Sequence, residues 1–104
     1  MTETPHRGDV VWLSMDPVEG HEQRGHRPHL TLSDERLASR MGLAIVVPMT
    51  SVERPWGTRV KLADGFFAIG EQPRTVSVSR ITRIERRGFD VQPVVKVINS
   101  LIGE

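Results

Sequence analysis

No stretch of this chain keeps one periodicity for long before a turn residue interrupts it, until residue 90. The 104 residues include nine glycines and seven prolines. Up to position 87 these cut the sequence into short runs of β character, too short and too irregular in period for long helices. "DVVWLSM" (9–15) follows Gly8 and stops at Asp16-Pro17, a pair that cannot continue a central strand. "HLTLS" (29–33) alternates polar and apolar residues, as a half-buried strand does, and His29 can face outward as its first residue. "LAIVVPM" (43–49) is apolar throughout and reads as a central strand buried on both faces. "TRVKL" (58–62), the turn "ADG", "FFAIG" (66–70) and "ITRIERR" (81–87) supply three further strands, and "TSVERPWG" (50–57) is a loop. "DERLASRMG" (34–42) is one helical excursion, from a cap at Asp34 to Gly42.

The tail changes period. Asp90 can cap a helix, and Pro93 falls in the first turn, where a missing N–H is harmless. Val91, Val94, Val95, Ile98, Leu101 and Ile102 then recur on one face. About six short strands and a terminal amphipathic helix predict a mainly β, α+β fold in a single domain spanning 1–104: a small, strongly bent barrel with the helix packed on it.

Composition narrows the chemistry. With no cysteine there is no disulfide, zinc–thiolate site or thiol nucleophile. No apolar run approaches the ~18–20 residues that span a bilayer, and "MTETPHRGD" is not a signal peptide, so the expected location is cytoplasmic. "RGD" at 7–9 then reads as a strand entry. Net charge is only +1, yet twelve of the fourteen cations are Arg, the side chain suited to bidentate phosphate binding. A GC-rich genome gives the same bias with no function attached.

Histidine is concentrated in one segment. His21, Glu22, His26 and His29 place three imidazoles and a carboxylate within nine residues. A helical zinc site of the His-Glu-x-x-His type needs both imidazoles one turn apart, but here the second comes one residue late. Pro17, Gly20, Gly25 and Pro28 also oppose a continuous helix. Solvated loop histidines are the simpler reading, and no metal is expected. The same loop read as E-Q-x-G-x-R-P offers a different chemistry. Gly25 permits a tight turn and Pro28 stiffens the position beside Arg27, whose guanidinium can form two hydrogen bonds to a phosphate. Glu22 and Gln23 supply groups that read base edges in single strands. Taken alone, Arg27 could equally be a surface ion pair with Glu22 or Asp16.

"RGDVVWLSMDP", "EQRGHRP", "PMTS" and "EQPRT…SRI", in this order and spacing, resemble the MazF/PemK-type toxins of bacterial toxin–antitoxin systems, from Arg7 to the terminal helix. The resemblance implies an SH3-like (CcdB/PemK-type) barrel, a homodimer, and a metal-independent endoribonuclease that cuts single-stranded RNA at short sequences and needs no cofactor. It implies a catalytic role for Arg27 and for Thr50 of "PMTS". RNA contacts are implied for Glu22 and Gln23, and for Gln72 and Arg74 in the same groove. Ser51 follows Thr50 in the matched string, His21 stands beside the implied RNA path, and Trp56 in the following loop is a candidate base-stacking platform. Trp12 reads as core. Arg74 can equally anchor a strand or the dimer.

Three positions depart from the family pattern: His21, where a small residue is usual; His29, where a small or aliphatic residue is usual; and Pro73, which removes an N–H. The implied reaction uses the substrate's 2′-hydroxyl as nucleophile and gives a 2′,3′-cyclic phosphate and a 5′-hydroxyl, so DNA resists. His21 or His26 could assist as base. A small antitoxin is the implied protein partner. The rival reading is a non-catalytic CcdB-like inhibitor, or an inactive antitoxin-binding relative, on the same fold. The former engages its target through a C-terminal Trp, whereas this chain ends "NSLIGE".

Overall fold

The computed structural model describes residues 3–14 and 26–103, with the side chain of His26 excepted. Seven strands and two α-helices follow in the order β1 (Val10–Ser14), β2 (His26–Thr31), α1 (Glu35–Met41), β3 (Leu43–Thr50), β4 (Arg59–Ala63), β5 (Phe66–Ile69), β6 (Arg74–Ser77), β7 (Ile81–Glu85) and α2 (Gln92–Ile102), with a 3-10 turn at Val78–Arg80. The strand pairings among the described residues are antiparallel, and the strands form one bent sheet in the order β4-β5-β3-β2-β1-β7, with β6 added to β3. Its end strands β4 and β7 do not pair with each other among the described residues, so the barrel is open rather than closed.

β3 is the hinge of this topology. One edge pairs with β2, while the other carries β6 along Leu43–Val46 and then β5 along Met49–Thr50. Leu32 N donates to Ile45 O at 2.8 Å, so the odd residues of β3 bond toward β2 and the even ones toward β6 and β5. Pro48, lacking an N–H, falls in the gap between β6 and β5, where no ladder bond is lost. Pro28 is accommodated in the same way. Thr31 bonds toward β1 (Thr31 N to Asp9 O, 2.9 Å), so Pro28 faces the β3 edge, one residue beyond the last β2–β3 pair. That is why "HRPHLT" is strand from His26, rather than loop as far as Pro28. Arg27 therefore lies on a strand, contrary to the expectation of a loop. His29 is not an outward-facing first residue; it is buried within β2, 3 % exposed.

Bending gives the sheet two apolar layers. Val10, Leu30, Leu32, Val47, Met49, Ala68, Val91 and Val94 form one; Val11, Leu13, Ala44, Val46, Val76 and Ile81 form the other. Consecutive residues of β1 enter different layers, so this strand is buried on both faces. β3 is nearly so, but Ile45 is 37 % exposed, which corrects the expectation of complete burial. Trp12 packs partly buried against the first layer. β6 was not foreseen: four residues beginning just after Pro73 show too little alternation to be read as a strand.

α1 starts at its expected cap, whereas α2 has Val91 as its N-cap, without a side-chain capping bond, and Asp90 lies one residue earlier. The Asp34 side chain accepts from Arg36 N (2.8 Å) and α1 ends on Gly42 at φ 70°. The Asp90 carboxylate accepts from Gln92 N (3.0 Å), and Val91 and Val94 anchor α2 in the first layer with Val95 and Ile98 beside them. Leu101 and Ile102, expected on the buried face, are exposed. The "RGD" string is a strand entry: Gly8, at φ 92°, bonds to Thr31 O and Phe89 N, and buried Asp9 accepts from Arg86 and from His6 N.

Candidate active site

Strand alternation decides which side chains can act together. On β2, Arg27, His29 and Thr31 share one face, and the register places Leu13 opposite Arg27, Val11 opposite His29 and Val46 opposite Thr31. This row therefore runs along the side of the second apolar layer, and its outer end opens into a cavity of about 160 Å³. Arg27, His29 and Pro48 line that cavity from β2 and β3, Ile69 from β5, and Gln72 and Arg74 from the turn into β6. Three expected site residues thus converge although 45 positions separate Arg27 from Gln72. The Arg27 side chain is exposed and makes no hydrogen bond or ion pair among the described residues. Glu22 and Asp16, its conceivable partners, lie outside those residues.

Pro28 and Trp12 face the other way, into a larger cavity of about 450 Å³ also lined by Thr50, Ser51, Phe66 and Arg87. Thr50 therefore borders the neighbouring hollow rather than the one holding Arg27. The two residues nevertheless occupy the same end of one seam. His29 stands opposite Pro48, and Arg27 and Thr50 each lie two positions beyond that pair. Thr50 Oγ1 accepts from Val52 N at 3.1 Å, which holds the turn and leaves the hydroxyl proton to donate elsewhere.

Beyond this turn stands Trp56, 52 % exposed, with the guanidinium carbons of Arg54 and Arg59 at 5.9 and 5.1 Å from its ring centroid. Arg59 also donates to Val52 O, tying the loop's two ends together. The result is an aromatic surface framed by positive charge, the composition that suits stacked bases and their phosphates.

His29 is the residue whose position the sequence reading misjudged. Its Nδ1 lies 3.0 Å from Arg27 O. A carbonyl only accepts, so Nδ1 carries the proton and the neutral ring keeps its lone pair on Nε2. Burial pushes its pKa below the ordinary 6.5, opposed by the bond to the Arg27 carbonyl, and Arg74, Arg27 and Arg80 lower it further. The signal was available: His29 follows Arg27 by two, the spacing that puts both on one face once the strand is known to start at His26.

Among the described residues no three His, Asp or Glu side chains are grouped as a metal ion would require. His21, Glu22 and Gln23, and the side chain of His26, lie outside the described residues, so the histidine-loop readings rest on sequence alone.

Residues 6–101 match the family model described as PemK-like, MazF-like toxin of type II toxin–antitoxin systems. The chain belongs to this family. Endoribonuclease toxin MazF of Escherichia coli (strain K12) is 31 % identical over 107 residues, covering 95 % of both chains. Endoribonuclease PemK of Escherichia coli is 36 % identical over 80 residues, covering 69 % of this chain and 60 % of that protein. Among solved structures, MazE-MazF from Deinococcus radiodurans (Form-II) superposes with a TM-score of 0.81 at 27 % identity, covering 98 % of each chain. In this PemK/MazF-like chain the strings that carry the resemblance are the elements that build the site. "HRP" opens β2, "PMTS" closes β3, and "EQPRT" crosses into β6. No helix among the described residues is long and apolar enough to cross a membrane.

Proposed function

We propose that this PemK/MazF-like protein is a sequence-specific endoribonuclease toxin that cleaves single-stranded RNA without a metal ion. The observation that carries this reading is the convergence of Arg27, Gln72 and Arg74 on one cavity, beside a seam end that also holds Thr50.

The substrate's 2′-hydroxyl attacks the adjacent phosphorus in line with the departing 5′-oxygen. Arg27 presents its fork of donors to the phosphoryl oxygens, where charge accumulates in the transition state. Arg74 adds a second guanidinium on the far wall of the same cavity. The Thr50 hydroxyl, with its lone pair engaged by Val52 N, donates its proton to a phosphoryl oxygen. Gln72 and Ser51 contact the strand on either side, Trp56 stacks a base, and His21, Glu22 and Gln23 read base identity. The products are a 2′,3′-cyclic phosphate and a 5′-hydroxyl. DNA lacks the nucleophile and is not cut.

In this reading the protein works in the cytoplasm as a homodimer, and a cognate antitoxin neutralises it by occupying the RNA groove. The named activities of MazF and PemK from Escherichia coli support the RNA cleavage, and the MazE-MazF complex from Deinococcus radiodurans supports the protein partner. The test is incubation of purified protein with mixed-sequence single-stranded RNA and matched DNA in EDTA. Cleavage of RNA alone, at a restricted set of sequences and with cyclic-phosphate ends, is the expected result. Intact RNA, or cleavage only after metal is added, contradicts the reading.

A further inference from the structure

We propose that His29 is the general base of this site, its Nε2 taking the proton from the RNA 2′-hydroxyl. The inference rests on the ribonuclease reading above and assigns the base, which that reading leaves open.

Geometry is the first argument. His29 lines the Arg27–Gln72–Arg74 cavity, two residues from Arg27 on the same strand face. A phosphate held by Arg27 and Arg74 therefore brings its attached ribose against the histidine ring. Orientation is the second. The bond from Nδ1 to Arg27 O fixes the tautomer and turns the basic nitrogen away from the backbone. The sealed, unpartnered side-chain polar atoms among the described residues are Trp12 Nε1, Thr31 Oγ1 and Arg59 Nε; His29 Nε2 is not one of them, and it has no protein partner there either. It is left to a molecule entering the cavity.

The charge environment is consistent with a base rather than an acid. Among the described residues, the charged groups acting on the ring are Arg27 from β2, Arg74 from β6 and Arg80 from the 3-10 turn, all positive. Its strand partners Val11 on β1 and Pro48 on β3 are uncharged. Desolvation and these three guanidinium groups keep the imidazole neutral to a lower pH than an ordinary histidine, so the free base predominates at pH 7. The step balances simply. Nε2 accepts the 2′-hydroxyl proton, the O2′–P bond forms, and the P–O5′ bond breaks. Its electron pair stays on the 5′-oxygen, which takes a proton from water, and the imidazolium returns its proton to solvent.

The experiment uses the full chain and a short RNA, with kcat and KM measured across pH 4.5–8, alongside binding of the same RNA carrying 2′-O-methyl groups. Wild type should show an acid limb inflecting below 6.5. His29→Gln should lose ~10²–10⁴ in kcat and the acid limb with it, while KM and 2′-O-methyl RNA binding stay unchanged. His29→Ala should regain part of its rate when free imidazole is added, which a folding defect would not do. In the wild-type protein, the ¹⁵N spectrum should report an Nδ1-protonated neutral ring for His29. An active His29→Gln with the wild-type pH profile overturns the assignment and leaves the ribonuclease reading standing. A loss confined to binding also overturns it. Wild type that cannot cut RNA overturns both.

Discussion

Arg27 and His29 are two residues apart, and on a strand that spacing makes them neighbours on one surface with very different surroundings. Arg27 is exposed, whereas His29 is buried against the apolar layer behind it. Burial of a neutral imidazole has a consequence for stability. The folded-state pKa lies below the unfolded value of 6.5, so at pH values between the two the unfolded chain binds more protons. This group costs nothing above 6.5, and it lowers stability progressively as pH falls from 6.5 through the folded pKa. Urea unfolding followed at pH 7.5 and pH 5 should therefore show a smaller decline for His29→Gln than for wild type; equal declines would show that burial does not penalise the charged ring. At Thr50 the observed acceptor role of the hydroxyl and its proposed donor role separate in a different way. Thr50→Ser keeps both the acceptor for Val52 N and a donor, and should retain most cleavage, whereas Thr50→Val should be slower. Thr50→Val should still lose less than Arg27→Ala, because a neutral donor stabilises charge less than a guanidinium. Rates measured on one RNA check that order.

At the scale of elements, the capped helices and the long runs were legible because their signals are local. Asp34 and Gly42 bracket α1, Asp90 accepts from Gln92 N one residue before the Val91 N-cap of α2, and Val91, Val94, Val95 and Ile98 mark its packed face. The start of β2 was not legible, for a physical reason that concerns edges. Pro28 looks like a strand breaker, yet like Pro48 within the expected 43–49 strand it points its missing N–H where no ladder bond is lost. Only the sheet order reveals those places, and no single run of sequence contains it. β6 was hidden likewise, since its pairing with Leu43–Val46 is what makes Arg74–Ser77 a strand. Arg74 and Gln72 were thus nameable as site residues from the family resemblance, but their meeting with Arg27 depends on β3 holding β2 on one edge and β6 on the other. Packing at α2 gives a direct check on the fold. Val94 is fully buried, so Val94→Ala should destabilise the protein by about 1–3 kcal/mol in denaturant unfolding, from lost transfer energy and the cavity left behind. A change under about 0.5 kcal/mol, the range of ordinary surface substitutions, would mean the helix is not docked as described. Gly8→Ala should also destabilise, because a Cβ there would approach Phe89 O to 2.6 Å at a φ of 92°.

For the whole molecule, the open sheet and its exposed apolar side chains bear on assembly. Met41, Ile45 and, at the end of α2, Leu101 and Ile102 (74 % exposed) remain uncovered in the single chain. Pairing of two chains would bury such residues, and sedimentation should give about twice 11.7 kDa at micromolar concentration; a mass of one chain would exclude the dimer. The proposed cleavage depends on the molecule differently. It requires that a phosphodiester be cleaved by groups this chain itself supplies, with Arg27 foremost among them. The most direct measurement is therefore cleavage of a defined single-stranded RNA in excess EDTA by wild type and by Arg27→Ala, with unfolding of both proteins followed in parallel. Wild type should cut the RNA. Arg27→Ala should lose ~10²–10³ in rate, as removal of a transition-state donor does, while its stability changes by less than ~1 kcal/mol because the side chain is exposed. Equal cleavage by the two proteins, or wild-type activity that disappears in EDTA and returns with zinc, would contradict the account.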